Sequence, residues 1–162
     1  MDGTARQQGA VLAAITLAVF SSSLTADFVY DARMQILTGE FIHDWRNWPA
    51  VLSFRVLGMD VLDFNRPVML ASLMVDAALW GREPFGYHLT SVVLHVANVL
   101  LLWRIIRHLL RPETRPAPTA PSSVESVLTP VLAALVFAIH PIVAEAVCEP
   151  SYREDLLVAF FS

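Results

Sequence analysis

Residues 9–26 of this chain read GAVLAAITLAVFSSSLTA and contain no Asp, Glu, Lys or Arg. At about 1.5 Å of rise per residue, a helix of this length is long enough to cross a bilayer. The run ends directly before Asp27, and Asp31 follows one helical turn later. An ionisable residue at a membrane boundary is a candidate for function, although a solvated loop acid or a helix N-cap is the commoner explanation.

The composition of the whole chain indicates a membrane protein. Of its 162 residues, 56% are apolar and only 16% are charged, and the mean hydropathy is +0.55. A soluble domain of this size carries more charge. The formal net charge of -4, without a basic stripe, argues against a nucleic-acid partner. The single Cys148 excludes an internal disulfide and a cysteine zinc site, and no glycine-rich phosphate loop occurs.

Two further segments, 84–108 and 126–147, are apolar enough to cross a membrane. Together with the run at 9–26 they predict an all-α integral membrane protein with about three transmembrane helices. The first run also resembles a secretory signal peptide, since Arg6 precedes its apolar core. We interpret it as an uncleaved anchor, because further spans follow.

The placement of arginine predicts how the spans are oriented. Arg104, Arg107, Arg111 and Arg115 cluster at the end of the second span and in the first part of a Pro- and Ser-rich linker at 109–125. The positive-inside rule puts this linker and residues 1–8 in the cytoplasm. Residues 27–83 and 148–162 are then extracytoplasmic, the latter as a turn and the start of a further helix.

The extracytoplasmic segment 27–83 is predicted to contain short helices. Apolar residues recur at helical spacing over Trp45–Val56, with Trp48 and Leu52 expected on the same face as the two ends. Because tryptophan prefers the membrane interface, we expect amphipathic helices that lie on the membrane surface. A more apolar helix is predicted at Pro67–Trp80, too short to span and begun by a proline that suits the first turn.

The second span carries a polar stripe. His88, Ser91, His95 and Asn98 recur at steps of three or four residues, so they share one helical face. In lipid, such a face must point to protein or to a water-filled cavity. We expect interhelical hydrogen bonds for Ser91 and Asn98. For the two histidines, that explanation and a role in a cavity are equally open.

Seven short motifs in a fixed order resemble one family of membrane enzymes. They are Phe-Val-Tyr-Asp (28–31), Asn-Arg-Pro-Val (65–68), Gly-Tyr-His-Leu (86–89), Leu-His-Val-Ala-Asn (94–98), Phe-Ala-Ile-His-Pro (137–141), Glu-Ala-Val (145–147), and Arg153 with Asp155-Leu156-Leu157. In this order they are similar to the N-terminal part of the transmembrane O-mannosyltransferase family with tetratricopeptide repeats, and to related bacterial GT-C glycosyltransferases. The resemblance covers residues 10–162.

What the resemblance implies is a multi-pass enzyme of which this chain forms a truncated GT-C-like bundle. Such an enzyme transfers a sugar, here expected to be mannose, from a polyprenyl- or dolichyl-phosphate donor to a hydroxyl of a protein Ser/Thr or a glycan. It acts on the extracytoplasmic face of a bacterial inner membrane or the ER membrane. Membrane lipid, the lipid-linked donor and the acceptor are therefore the expected partners, while no resident cofactor is assigned and the need for a divalent metal stays open.

The resemblance also suggests roles for individual residues. Asp31 is the candidate base, because a carboxylate can accept the proton of an attacking hydroxyl. Arg153, and after it Arg66, are the candidates to stabilise the departing phosphate, since arginine stays charged and binds phosphate bidentately. For Arg66, a salt bridge that holds the outer segment is an equal alternative. Related members usually carry a second acid where this chain has Ala32.

Three more residues are predicted to line or brace the substrate cavity. Glu145 and His140 are placed at the outer end of the third span, and His88 on the polar face of the second. His140 can equally belong to a helix-ending turn, because Pro141 disfavours a helical conformation at the residue before it.

The length of the chain argues against activity on its own. Three spans cannot enclose a lipid-linked donor and an acceptor together, so we expect a fragment that is inactive alone. A second hypothesis is a non-catalytic membrane subunit or degenerate relative that keeps the fold. A third, less favoured, is a transporter fragment with proton-relaying histidines, although no internal repeat of the transporter kind is found.

Overall fold

The computed structural model describes residues 3–110 and 123–162 of the chain, without the side chains of residues 123–126. Of the residues that the structure describes, 83% are helical and none lies in a strand. The prediction of an all-α fold is therefore confirmed. Most of the predicted linker at 109–125 lies outside the described residues.

The described ranges contain eight α-helices joined by shorter helical turns. The α-helices are α1 (Gly3–Phe20), α2 (Tyr30–Ala32), α3 (Trp48–Leu52), α4 (Pro67–Trp80), α5 (Pro84–Leu109), α6 (Ser123–Ile139), α7 (Ala144–Cys148) and α8 (Arg153–Phe161). A π-helical turn covers Arg33–Thr38, and 3₁₀ turns cover Ser21–Thr25, Phe41–His43, Trp45–Asn47, Arg55–Gly58, Pro141–Val143 and Pro150–Tyr152.

Two of these helices are long and apolar enough to cross a membrane. They are Gly3–Thr25, which joins α1 to its 3₁₀ continuation, and α5. A third span results if Val127–Ile139 and Pro141–Cys148, which are bent by 48° at their junction, count as one. The expected membrane fold of about three spans is thus confirmed, whereas the sides of the membrane remain a prediction.

Contacts divide the chain into two compact units. The first contains the described residues up to Val19 and those from His95 to Ala144. Its core is built from small and apolar side chains, namely Ala5, Leu12, Val99, Trp103, Ala134 and Ala138. Within it, Nε2 of His95 donates a hydrogen bond to the carbonyl oxygen of Ala138 over 3.1 Å. That bond stabilises a polar group in an otherwise apolar core.

The second unit contains Phe20–Leu94 and Glu145–Ser162. Its core includes Phe28, Ala32, Ile36, Ile42, Val51, Val56, Met69, Leu70, Leu73, Met74, Ala77 and Tyr87. The helix α4 contributes the most to this core and matches the predicted helix at both ends. Pro67 begins it at a position where no intrahelical N–H is needed, and Gly81 ends it with a φ of 62° that favours glycine.

The polar stripe of α5 is buried in protein, as its spacing predicts. His88 and Ser91, in the second unit, are 1% and 0% exposed, and His95 and Asn98, in the first unit, are 0% and 4% exposed. Neither unit therefore presents its part of the stripe to lipid.

The stripe expected over Trp45–Val56 is wrong in part. Val56 is buried, but Trp45 and Leu52 are 75% and 66% exposed. The cause is a break in the helix, because Phe54 adopts a φ of 60° and ends the 3.6-residue periodicity. The segment therefore exposes two large apolar side chains, as an interfacial helix would, while burying its far end.

Candidate functional site

Arg153, the first candidate for phosphate binding, is completely buried and bound to other protein groups. Its Nη1 lies 2.6 Å from Oδ2 of Asp76, which is itself 2% exposed. Nη1 also donates to Oγ of Ser72 over 2.9 Å, and Nη2 donates to the carbonyl oxygen of Tyr87 over 2.8 Å. Nε donates to Oγ of Ser91 over 3.3 Å. The guanidinium thus has both its charge and its donors matched inside the second unit.

This network ties three helices together. The other carboxylate oxygen of Asp76, Oδ1, accepts a hydrogen bond from Thr90 over 2.7 Å. Asp76 belongs to α4, Thr90 to α5, and Arg153 begins α8. Exposing Arg153 to a ligand would leave Asp76 as an uncompensated buried charge, which costs several kcal/mol. In this structure Arg153 anchors α8 rather than facing a cleft.

Arg66, the second candidate for phosphate binding, forms a salt bridge, which was the alternative role considered for it. Its Nη1 lies 3.1 Å from Oδ1 of Asp63 and 2.7 Å from Oε1 of Glu154. Burial raises the pKa of both carboxyl groups, and the Arg66 charge opposes that rise. The Arg66 side chain remains 38% exposed, so it is the more accessible of the two arginines.

An apolar groove of about 320 Å³ opens beside Arg66. Its lining residues come from the start of α4 and from α8, and are Asn65, Arg66, Pro67, Val68, Met69, Glu154, Leu157, Val158 and Phe161. The groove therefore combines one partly exposed cation with a mainly hydrocarbon wall.

Asp31, the candidate base, is exposed on a strained turn between two buried anchors. Phe28 is 3% exposed and packs against the ring of Tyr87 at a centroid distance of 5.3 Å, while Ala32 is 0% exposed. Between them, Tyr30 has a φ of 44° and is 83% exposed. A non-glycine residue in this region costs about 1–3 kcal/mol, and such strain occurs most often at functional sites. The turn lifts Asp31 out of the core.

A cleft of about 400 Å³ adjoins this turn. It is lined by Val29, Tyr30, Glu145, Cys148, Glu149 and Tyr152. Glu145, which was predicted to line a cavity, is exposed here. The cleft thus brings together residues that follow the first apolar run and residues at and after the end of the third apolar segment.

Glu149 is the functional candidate that sequence reasoning missed. It is 6% exposed and holds an extended conformation before Pro150. Its Oε1 accepts a hydrogen bond from Oγ of Ser151 over 2.9 Å. Burial raises the pKa of Glu149, hydrogen bonds from Ser151 and the Ala32 backbone lower it, and the nearby charge of Asp31 raises it again. Asp31 therefore lies close enough to Glu149 to act on it electrostatically.

The two candidate histidines occupy different surroundings. His88 is buried in the second unit, where its ring stacks on Phe28 at a centroid distance of 6.1 Å. His140, in the first unit, is exposed, and its Nδ1 accepts a hydrogen bond from the Ile142 amide over 3.2 Å. That bond caps the turn Pro141–Val143, so the helix-ending turn considered for His140 is present.

Among the residues that the structure describes, no three His, Cys, Asp or Glu side chains are placed to hold a metal ion together.

Known proteins similar to this chain are protein O-mannosyl-transferases. The chain is 35% identical over 98 residues to Tmtc3 of Drosophila melanogaster, which covers 57% of this chain and 11% of that protein. It is 28% identical over 148 residues to Tmtc1 of the same fly, covering 88% of this chain and 16% of the relative. It is 29% identical over 156 residues to TMTC2 of Mus musculus, which covers 93% of this chain and 17% of that relative.

The chain therefore spans less than a fifth of the length of each of these relatives. No family model matches the sequence, and no solved structure matches it.

Proposed function

We propose that this chain, which is similar to protein O-mannosyl-transferases over most of its length, is the N-terminal part of a membrane glycosyltransferase. The enzyme would move a sugar, which the names of the relatives indicate to be mannose, to a hydroxyl of a protein acceptor. The donor would be a polyprenyl- or dolichyl-phosphate-linked sugar.

The observation that carries the proposal is the exposed carboxylate of Asp31 on a strained turn beside the cleft. In an inverting transfer, a base takes the proton of the acceptor hydroxyl as its oxygen attacks the anomeric carbon. The carboxylate is accessible, and Phe28 and Ala32 hold its turn from both sides. Such anchoring reduces the freedom of the base and keeps it oriented toward one position.

Arg66 is our choice for the cation that stabilises the departing lipid phosphate. It keeps 38% of its side chain exposed, and the groove beside it offers an apolar wall suited to an isoprenoid chain. A phosphate would compete with Asp63 and Glu154 for the guanidinium. Arg153 then acts indirectly, because its pair with Asp76 holds α8 in place.

The membrane orientation is also part of the proposal. Residues 27–83 and 145–162 fold into one unit, and the contact between Arg66 and Glu154 joins them directly. This supports an arrangement in which both segments lie on the extracytoplasmic side and the N-terminus is cytoplasmic, as the arginine distribution predicts.

The test is the substitution Asp31→Asn in the complete protein that contains this chain. Loss of a positioned base lowers turnover by about 10²–10⁴-fold, so transfer from a dolichyl-phosphate-linked mannose to a Ser/Thr peptide should fall by that factor. Binding of the donor should change little, because the base acts on the acceptor.

Asp27→Asn is the matched control, since Asp27 is also exposed and precedes the same turn. It should leave turnover unchanged. Undiminished transfer by Asp31→Asn would remove the base role and favour a non-catalytic membrane subunit.

A further inference from the structure

The cleft beside Asp31 contains a buried carboxyl oxygen without a hydrogen-bond partner. Ser151 donates to Oε1 of Glu149, and the backbone of Ala32 also interacts with this carboxyl group, but no described group meets Oε2 with hydrogen-bond geometry. The residue is 6% exposed, so water compensates little of this deficit. Native proteins satisfy most buried polar atoms, and an unsatisfied one calls for an explanation.

The surroundings of Glu149 are those of a binding group rather than of a structural one. A structural acid is usually paired with a cation, as Asp76 is paired with Arg153. The charged neighbour of Glu149 is instead another acid, Asp31, and burial together with that neighbour raises the pKa of Glu149. Carboxyl groups perturbed by burial and by a specific charged neighbour occur most often at functional sites.

The shape of the cleft indicates what the missing partner is. Tyr30 and Tyr152 supply ring surface, while Glu145 and Glu149 supply acceptor oxygens. A hydroxyl group can donate a hydrogen bond to Oε2 without bringing a charge. It can also accept a hydrogen bond from the carboxyl group when that group is protonated. A divalent metal would need more ligands than the described residues bring together.

We propose that Glu149 is a second substrate-binding carboxyl group, which accepts a hydrogen bond at Oε2 from a substrate hydroxyl beside Asp31. The inference rests on the proposed transferase function and deepens it. The hydroxyl can come from the sugar or from a Ser/Thr side chain of the acceptor, since both offer the same donor group.

Cys148 provides a direct readout of this cleft. It is the single cysteine of the chain, it is exposed, and it lies in the lining next to Glu149. In the intact chain in nanodiscs, the rate at which a small thiol reagent labels Cys148 reports whether the cleft is occupied. Methyl α-mannoside and a short Ser/Thr peptide are the two probes, and they separate a sugar hydroxyl from an acceptor hydroxyl.

At a probe concentration about ten times its Kd, mass action leaves about a tenth of the clefts free, so labelling should slow about tenfold. In Glu149→Gln, which keeps the side-chain shape, the same concentration should give little protection, while labelling without probe stays at the original rate. Asp155→Asn, an exposed acid on α8 outside the cleft lining, is the control and should keep full protection.

Two results would overturn the inference. One is that neither probe protects Cys148, and the other is that Glu149→Gln remains fully protected. Because sugar transfer by the complete protein is measured separately, the transferase proposal can survive either result. Conversely, protection that depends on Glu149 would stand even if Asp31→Asn leaves transfer unchanged.

Discussion

Two regions of the second unit treat their buried charges in opposite ways. At the junction of α4, α5 and α8, Arg153 and Asp76 neutralise one another, and neighbouring hydroxyl and carbonyl groups complete their hydrogen bonds. At the cleft, Glu149 is buried beside a second acid, and one of its oxygens lacks a partner.

The backbone follows the same division. The residues around the Arg153 pair lie in regular helices, whereas Tyr30 at the cleft has a positive φ. A buried ion pair between regular helices helps to hold the fold together. A buried acid without a counter-charge, next to a strained backbone, is typical of a binding site. The contrast supports a structural role for Arg153 and agrees with the binding role proposed for the cleft.

The largest expected effect comes from breaking the matched pair. Arg153→Met leaves Asp76 buried without a counter-charge, so unfolding free energy should fall by about 3–5 kcal/mol. Thermal unfolding of the chain in detergent measures the change. Adding Asp76→Leu should recover part of the loss, because the double variant buries no isolated charge.

The matched control is another Arg–carboxylate pair of the same unit. Arg82 lies 2.7 Å from Glu40, but the two side chains are 44% and 81% exposed. Arg82→Met should therefore cost no more than about 1 kcal/mol. Equal losses in Arg153→Met and Arg82→Met would contradict the distinction between the two regions.

The second-largest effect concerns Ala32, which stands where related proteins usually carry a second acid. Ala32 is 0% exposed and packs in the core, so Ala32→Asp places a carboxylate among apolar side chains. We expect a loss of at least about 2 kcal/mol in unfolding free energy. In the complete protein the variant should not raise transfer, because position 32 is fully buried.

Ala26→Asp is the control for that substitution, since Ala26 is exposed ahead of the same turn. It should change stability only slightly. If Ala32→Asp were well tolerated and increased turnover, the second acid would belong at position 32 rather than at Glu149.

These contrasts explain how far the sequence alone could predict the molecule. Apolar runs, prolines and helical spacing were enough for the spans, for Pro67–Trp80 and for the burial of the stripe through His88, because each depends on local pattern. The partner of Arg153 was not predictable, since Asp76 lies far away along the chain and only packing brings the two together. For the same reason Arg153 was expected at the phosphate, and Glu149 was overlooked.

The third effect concerns the strained turn. Tyr30→Gly should stabilise the fold by about 1 kcal/mol, because glycine adopts a positive φ without steric cost and Tyr30 is 83% exposed. The same change removes ring surface from the cleft and frees the turn, so transfer by the complete protein should decrease.

Phe54→Gly separates these two consequences. Phe54 also has a positive φ and is 56% exposed, but it does not line the cleft. The substitution Phe54→Gly should stabilise the fold to a similar extent and leave transfer unchanged. A loss of transfer in Phe54→Gly as large as in Tyr30→Gly would mean that the strain at Tyr30 has no special role.

The smallest expected effect is the pH dependence introduced by Glu149. Burial and Asp31 raise its folded-state pKa above the ordinary value of 4.5, so the folded chain holds this proton more tightly than the unfolded chain does. Stability therefore falls as pH rises from that ordinary value through the folded-state pKa, and the full penalty is present above it. Glu149→Gln should match the original chain in acid and become more stable than it toward neutral pH, in thermal unfolding followed by circular dichroism.

Ser151→Ala should act in the opposite sense, because it removes the hydrogen bond that lowers the pKa of Glu149. If Glu149→Gln were instead less stable at neutral pH, the carboxylate would be a structural group like Asp76, and the two regions would no longer differ.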